Sequence, residues 1–285
     1  MEHLMSGEDE AMPDRDGHRQ AEDANRILWD EMARVHLRAY TEVRLLRDGK
    51  EILDEIELRE IGDVSGRRLL HLQCHIGTDT LAWARHGAAV TGVDFSAEGI
   101  ACARRLRDEL GLEAKFIQAN IYDLPSLLSE KFDIVYSSRG VLCWLRELGE
   151  WAKVVAHFLV PGGIFYLMES HPILNALEEQ SPGLLSFAHS YFHLAEPMRW
   201  EPGGADYADP SHHLEHPSYE WTWTMSDVLT ALLKAGLELE LLNEYDRLFF
   251  RLFPSMVSED GRWYTLRQYS DKLPLLFTLR AHKPG

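Results

Sequence analysis

Glycine is scarce at the place where this chain most invites it. Residues 69–94, LLHLQCHIGTDTLAWARHGAAVTGVD, read as a buried strand, a sharp turn, a short helix and a second strand, yet the turn over 74–77 holds only Gly77. The usual glycine fingerprint of a nucleotide-binding turn is therefore mostly missing. Three cysteines (Cys74, Cys102, Cys143) are too few for a disulfide framework, and a reducing cytoplasm is the expected compartment. No apolar run approaches the roughly 20 residues of a membrane span, and the N-terminal residues lack a signal-peptide core. Basic residues are also in deficit: 29 against 46 acidic, a net charge of −17. A chain so acidic is a poor partner for a phosphate backbone, so no nucleic-acid partner is expected. No internal repeat is present. At 285 residues the length suits one large α/β core with insertions better than two equal domains.

What remains in that stretch is a layout. A strand leads into a turn that opens a helix, and the next strand ends on an acid, Asp94, about 20 residues further on. In nucleotide-binding α/β folds the amides of such a turn and the helix N-terminus face the ligand, while the acid accepts hydrogen bonds from ribose hydroxyls.

Along the chain, residues 1–20 are polar and read as a disordered lead-in. Residues 21–62 read as a helical cap. One helix is expected from about Glu22 to Leu46, with Leu28, Met32, Val35, Ala39 and Val43 at steps of three and four, and a second over 51–61. The core, 63–171, alternates strands with helices. Strands are predicted at 68–73, 89–94, 114–119, 132–137 and 163–170, and helices at 79–86, 96–110 and about 148–159, with Pro161-Gly162-Gly163 turning into the fifth strand. Five alternations of this kind call for a parallel sheet. Residues 172–218, rich in Pro, Gly, His and aromatics, are far longer than a routine connection and read as a lid or acceptor-binding insertion. Residues 219–285 complete the sheet. YEWTWTM reads as a short strand, 226–235 as a helix, and LELELL (237–242) as a half-exposed edge strand. PLLFTLRA (274–281) is continuously apolar, as an interior strand inserted antiparallel between the fifth and sixth would be.

At this point the chain resembles a class I S-adenosylmethionine (SAM)-dependent methyltransferase, over roughly residues 67–283. LLHLQCHIG resembles the first motif, VTGVDFS the second, QANIYDLP the third, FDIVYSSRGVLCWL the fourth strand and its turn, and LVPGGIFYLME the turn into strand five. The run HLQCHxGxDT is similar to a bacterial subgroup of that family. The departures are His71 for the usual acid, Gln73 and His75 for glycines, and Asn120 for an acid. The resemblance implies a Rossmann-like sheet of seven strands in the order 3-2-1-4-5-7-6, with strand 7 antiparallel and helices on both faces. It also implies SAM as cofactor and methyl transfer to an N, O or S atom of a small molecule. Carried over position by position, Gln73, Cys74, His75 and Gly77 would hold the methionine part, and Asp94 the ribose. Phe95 and Ile121 would cover the adenine, Asn120 would bind its edge, and Ser137 and Ser138 would floor the sulfonium.

Beyond the motifs, Trp29 and Tyr40 lie partly off the helical stripe and could close over the cofactor. Trp144, Tyr219, Trp221 and Trp223 are candidate walls of an acceptor pocket, suited to a flat or apolar group or to a cation against ring faces. Glu169 and His171 follow strand five at the ligand-binding end of the sheet, and either could take the acceptor's proton. His71-x-x-Cys74-His75, and His212, His213 and His216 with Glu215, read better as a packed core and a solvated loop than as metal sites. Monomer and homodimer are both open. The rival readings are a nicotinamide-dependent oxidoreductase and a non-catalytic protein of the same fold.

Overall fold

The computed structural model describes residues 15–285. Its centre is a seven-stranded sheet: β1 (Arg68–Leu72), β2 (Ala89–Asp94), β3 (Ala114–Gln118), β4 (Phe132–Ser138), β5 (Leu159–Ser170), β6 (Glu238–Tyr245) and β7 (Leu276–His282). The spatial order is 3-2-1-4-5-7-6. β1 to β5 pair in parallel, and β7 runs antiparallel between β5 and β6. The sequence pattern explains this order. β1, β4 and β7 are buried on both faces and interior, whereas β3 and β6 are partly exposed and lie at the edges. Pro161-Gly162-Gly163 lies inside β5 at a register shift rather than in a turn before it.

Helices cover both faces. α1 (Arg15–Ala39), α2 (Thr41–Arg47), α3 (Glu55–Ile61), α4 (Thr78–Arg85) and α5 (Ala97–Leu110) share one apolar core, with Trp83, Leu46 and Ile52 wholly buried. α6 (Leu124–Leu127), α7 (Leu148–Phe158) and α8 (Met225–Lys234) enclose the other, around Trp151 and Phe158. The caps follow their chemistry. Ser96 Oγ accepts the Gly99 amide at 2.8 Å, and Gly111 ends α5 in the left-handed conformation. Asp54 and Glu57 form a capping box, which starts α3 at Glu55 rather than at residue 51.

The N-terminal region differs from its sequence reading in two ways. Most of the expected lead-in, 1–14, lies outside the described residues, and 15–20 belong to α1. The expected continuous helix also breaks at Tyr40, whose φ of −61° and ψ of 128° are extended. The 172–218 insertion holds two hairpins, Leu177–Ser181 with Leu184–Phe187 and Met198–Trp200 with Ser218–Glu220. A second excursion between β6 and β7 packs Leu248, Phe253, Met256 and Leu266 against Leu174, a small third core that the sequence reading did not anticipate.

The α1–α2 segment is part of the main core, because Ala33, Leu37, Val43 and Leu46 are all buried in it. Deleting residues 1–46 should therefore abolish cooperative melting or lower the melting temperature sharply. A truncated chain that melts like the full one would contradict this packing.

Candidate cofactor and acceptor site

The turn after β1 adopts the backbone of a glycine turn without the glycines. Gln73 and His75 stand at φ of 57° and 50°, and Gly77 at 75°. For residues with a Cβ this conformation costs on the order of 1–2 kcal/mol each. What holds it is the end of β2. The Cys74 amide donates to the Val93 carbonyl at 2.9 Å, and the His75 amide to Asp94 Oδ2 at 2.8 Å. Gln73 Nε2 reaches across to the Val141 carbonyl at 3.1 Å. Gly77 is needed for packing, since a Cβ there would stand 2.7 Å from the Phe116 ring. Cys74 is buried and its thiol is pushed well up by that burial, which makes it a packing residue and not a nucleophile.

His71, at the usual place of an acid, is a buried neutral histidine. Its Nδ1 shares a 2.7 Å hydrogen bond with Thr80 Oγ1, and burial brings its pKa down to about 4. An acid is nevertheless present. Asp79, from the first turn of α4, accepts from Ser138 Oγ at 3.0 Å.

Asp94 faces the turn at the carboxyl end of the sheet. It accepts two amides, His75 at 2.8 Å and Ser96 at 2.9 Å, out of about four acceptor positions on a carboxylate. Burial raises its pKa to about 6 despite those bonds. A buried carboxylate with spare lone pairs fits a ligand that brings hydroxyl donors, as an adenosyl ribose does. Asn120 spends Oδ1 on the Tyr122 amide at 3.0 Å and keeps its NH₂ for a ligand edge. Ile121 is buried beside it, and Phe95 is half-buried. Ser137 Oγ and Gln73 Oε1 are buried without a protein partner. The residues present therefore suit the cofactor.

Over the turn lies an aromatic and polar roof. Trp29 meets His75 edge-on at 4.9 Å and Trp144 at 5.2 Å. Tyr40 stacks on His36 at 4.3 Å and hydrogen-bonds Tyr207. His36 Nδ1 is 2.8 Å from His75 Nε2, and His36 Nε2 is 2.9 Å from Asp206 Oδ2. Sequence reasoning missed His36, Asp206 and Tyr207. The insertion thus closes onto α1, reinforced by Glu31 with His212 at 2.8 Å and by Asn25 bonding both the amide and the carbonyl of Tyr219. Among the described residues no three His, Cys, Asp or Glu side chains converge as metal ligands.

The two expected proton acceptors are structural. Glu169 is buried, and its carboxylate takes the amides of Gly140, Val141, Leu142 and Ser170 at 2.6–3.1 Å, which fixes the turn after β4. His171 accepts the Ile173 amide at Nδ1 and pairs through Nε2 with Glu244 at 2.9 Å. Both ring nitrogens are engaged, so neither residue is a free base. The aromatic candidates divide. Trp223 donates to the Leu145 carbonyl at 2.9 Å and stacks on His193, and Tyr219 is spent on Asn25 and Arg199. The strand stops at Glu220, so the alternation expected to continue through Trp223 does not form. Trp144 belongs to the roof. Trp221 alone lines a cavity of about 380 Å³, together with Cys143, His189, Trp200, Glu220 and Phe253. Burial pushes the Glu220 carboxyl up.

Sheet order and site converge on one architecture, and the comparisons agree. Residues 70–165 match the "Methyltransferase domain" family. An S-adenosylmethionine-dependent methyltransferase from Mesorhizobium loti superposes with a TM-score of 0.54 at 21% identity, covering 80% of this chain and 96% of that one. Another, from Clostridium acetobutylicum, gives 0.56 at 16% identity, covering 90% and 99%. This is the class I SAM-dependent methyltransferase fold. By sequence, the methyltransferase-fold chain is 33% identical over 112 residues to a fatty-acid O-methyltransferase of Mycolicibacterium smegmatis, covering 39% of each. It is 30% identical over 139 residues to a ubiquinone biosynthesis O-methyltransferase of a Caulobacter species, covering 49% of this chain and 51% of that one. The chain thus spans about half the length, or less, of these curated relatives.

Because Glu169 satisfies four amides, Glu169→Ala should destabilise the protein by about 2–4 kcal/mol, read from urea unfolding. A catalytic base would instead leave stability nearly unchanged.

Proposed function

We propose that this protein transfers a methyl group from SAM to an oxygen, nitrogen or sulfur atom of a small molecule. The observation that carries the reading is Asp94, a buried carboxylate with spare acceptor positions at the end of β2, directly under a left-handed turn. When bound, SAM would supply a methyl group on a sulfonium, already a good electrophile. The protein's work is then alignment and exclusion of water. Asp94 would accept from the ribose hydroxyls, and Asn120, Ile121 and Phe95 would hold the adenine. The 73–77 turn, Ser137 and Ser138 would receive the methionine end and the sulfonium. Trp29, Tyr40 and Trp144 would shut water out from above.

The acceptor would enter at the cavity beside Cys143. One short turn, 140–144, joins it to the cofactor side: Gln73 bonds the Val141 carbonyl, and the Trp221 amide bonds that of Cys143 at 2.8 Å. Its Trp200 and Trp221 walls suit a flat or apolar body, and the carboxyls of Glu178, Glu179 and Glu220 line it, where a donor group on the acceptor would meet them. The O-methyltransferases among the relatives favour oxygen as the acceptor atom. The antiparallel β7 between β5 and β6 speaks against a nicotinamide-binding sheet.

Calorimetry with S-adenosylhomocysteine and with NADH tests the reading: heat with the first and none with the second is expected, and the reverse would overturn it. Cofactor binding without product from a broad acceptor panel would favour a non-catalytic binding protein.

Asp94 gives a signed pH dependence. Its folded-state pKa, about 6, lies above the ordinary carboxylate value. Ionising it in the fold therefore opposes stability by on the order of 3 kcal/mol at neutral pH, and the opposition fades as pH falls below 6. Hydroxyl donors favour the ionised form, so affinity for S-adenosylhomocysteine should be full above pH 6 and fall below it. Asp94→Asn removes the buried charge but offers one acceptor oxygen to two amides, so it should weaken S-adenosylhomocysteine binding and loosen the 73–77 turn. Unchanged affinity would contradict the role given to Asp94.

A further inference from the structure

The cavity beside Cys143 is walled by stretches far apart in the chain. The first part of the insertion brings Glu178, Glu179, His189 and Trp200, and its end brings Glu220, next to Trp221. The excursion between β6 and β7 closes the wall with Phe253 and its neighbours. Aromatic walls by themselves suit flat, apolar and cationic bodies alike. The titratable groups select among these.

Three carboxyls line the cavity and no lysine or arginine does. The three differ in what they already hold. Glu178 is half exposed and pairs with His189 Nε2 at 2.9 Å. Glu179 accepts the Gly183 amide and, at 3.0 Å, the Ser255 amide, and such bonds hold it below the usual carboxylate range. Arg251 adds to that effect, but its guanidinium donates to the Pro254 carbonyl and is not part of the wall. Glu220 is the one without a counter-charge. Burial pushes its carboxyl up, bonds from Trp200 and Ser218 oppose that, and no basic side chain acts on it. A carboxylate withdrawn from water in this way is stabilised by a cation that comes to it.

Trp221 supplies a second, independent sign of a ligand. It lines the same cavity, is only 1% exposed, and its Nε1 is buried without a protein partner. An indole N–H is a donor only, and leaving it unmet costs free energy.

We propose that this cavity selects an acceptor that carries a protonated amine on an aromatic or apolar body, with Glu220 as the counter-charge and Trp200 and Trp221 as the receiving walls, an inference that rests on the methyltransferase reading and on this cavity as the acceptor site. An anionic acceptor would meet Glu179 and Glu220 with no basic side chain to compensate, and a neutral one would leave Glu220 unpaired. The net charge of −17 favours encounter with cations as well. An ammonium has no free lone pair, so this group serves recognition and is not the nucleophile.

Calorimetry with S-adenosylhomocysteine already bound tests this on bodies matched in shape and different in charge. Tyramine and tryptamine are the cations, tyrosol and tryptophol the neutral alcohols, and 3-(4-hydroxyphenyl)propanoate and indole-3-propanoate the anions. Each amine should bind at least about tenfold tighter than its alcohol, and the carboxylates should bind weakest. Equal affinity of amine and alcohol, a preference for the carboxylates, or binding by none of them overturns the proposal. Glu220→Gln should cost the amines about tenfold, the worth of one charge-assisted hydrogen bond. It should leave the alcohols within about threefold, which reports that the cavity is still formed. Trp200→Leu, at a ring 43% exposed and so outside the core, should also lower the ratio of amine to alcohol affinity. Two variants that both keep the native ratio would refute the assigned roles. If the native protein gives no heat with S-adenosylhomocysteine, the methyltransferase reading falls, whereas normal binding of that ligand with no preference for amines removes only the cationic acceptor.

Discussion

The contact on which the rest of the molecule depends is the bond from the His75 amide to Asp94. A turn whose side chains resist left-handed geometry is held in it by the acid at the end of the neighbouring strand. Position and function are inseparable there. The carboxylate that pins the bend is also the one proposed to meet the ligand, and its burial makes it an unfavourable anion. Strain and desolvation are thus concentrated at one edge of the sheet, and the two apolar cores on its faces offset them.

Around that edge, residues serve roles that differ from their sequence positions. His71, where the resemblance expects an acid, packs as a neutral hydrogen-bonding core group, and a buried carboxylate, Asp79 on α4, bonds Ser138 nearby. The carboxylate at the end of β5 and the imidazole just after it hold turns. Glu169 gathers the free amides of 140–142, a loop that begins with Arg139 and Gly140 at positive φ. That loop lies between the 73–77 turn, which it meets through Gln73, and the cavity beside Cys143.

The legible parts of the sequence were those governed by local periodicity. Apolar runs located the strands, alternation marked β6 as an edge and Lys115 and Gln118 marked β3, and Ser96 and Gly111 bounded α5 as their capping chemistry requires. That Asp94 closes β2 was legible because a strand ending on an acid at fixed spacing is a local pattern. The roof was not. His36 lies beside an ordinary helical stripe, and its partner is 170 residues away, so no window of sequence joins them. Glu169 and His171 were misread for a related reason: position at the end of β5 was visible, but the amides that claim their lone pairs lie on other segments or depend on backbone angles. The aromatic strand over 219–223 was read correctly only as far as Glu220, because the Trp221 amide turns away to bond Cys143 and the ladder ends.

The bonds between α1 and the insertion also bear on how the chain is made. Asn25, Glu31 and His36 find their partners 194, 181 and 170 residues later. On the ribosome, α1 must therefore wait for some 170 to 190 further residues before its polar face is satisfied, and contacts this distant in sequence close slowly. Until then its buried-to-be histidine and asparagine remain wetted, which guards the nascent helix against sticking to a wrong apolar neighbour.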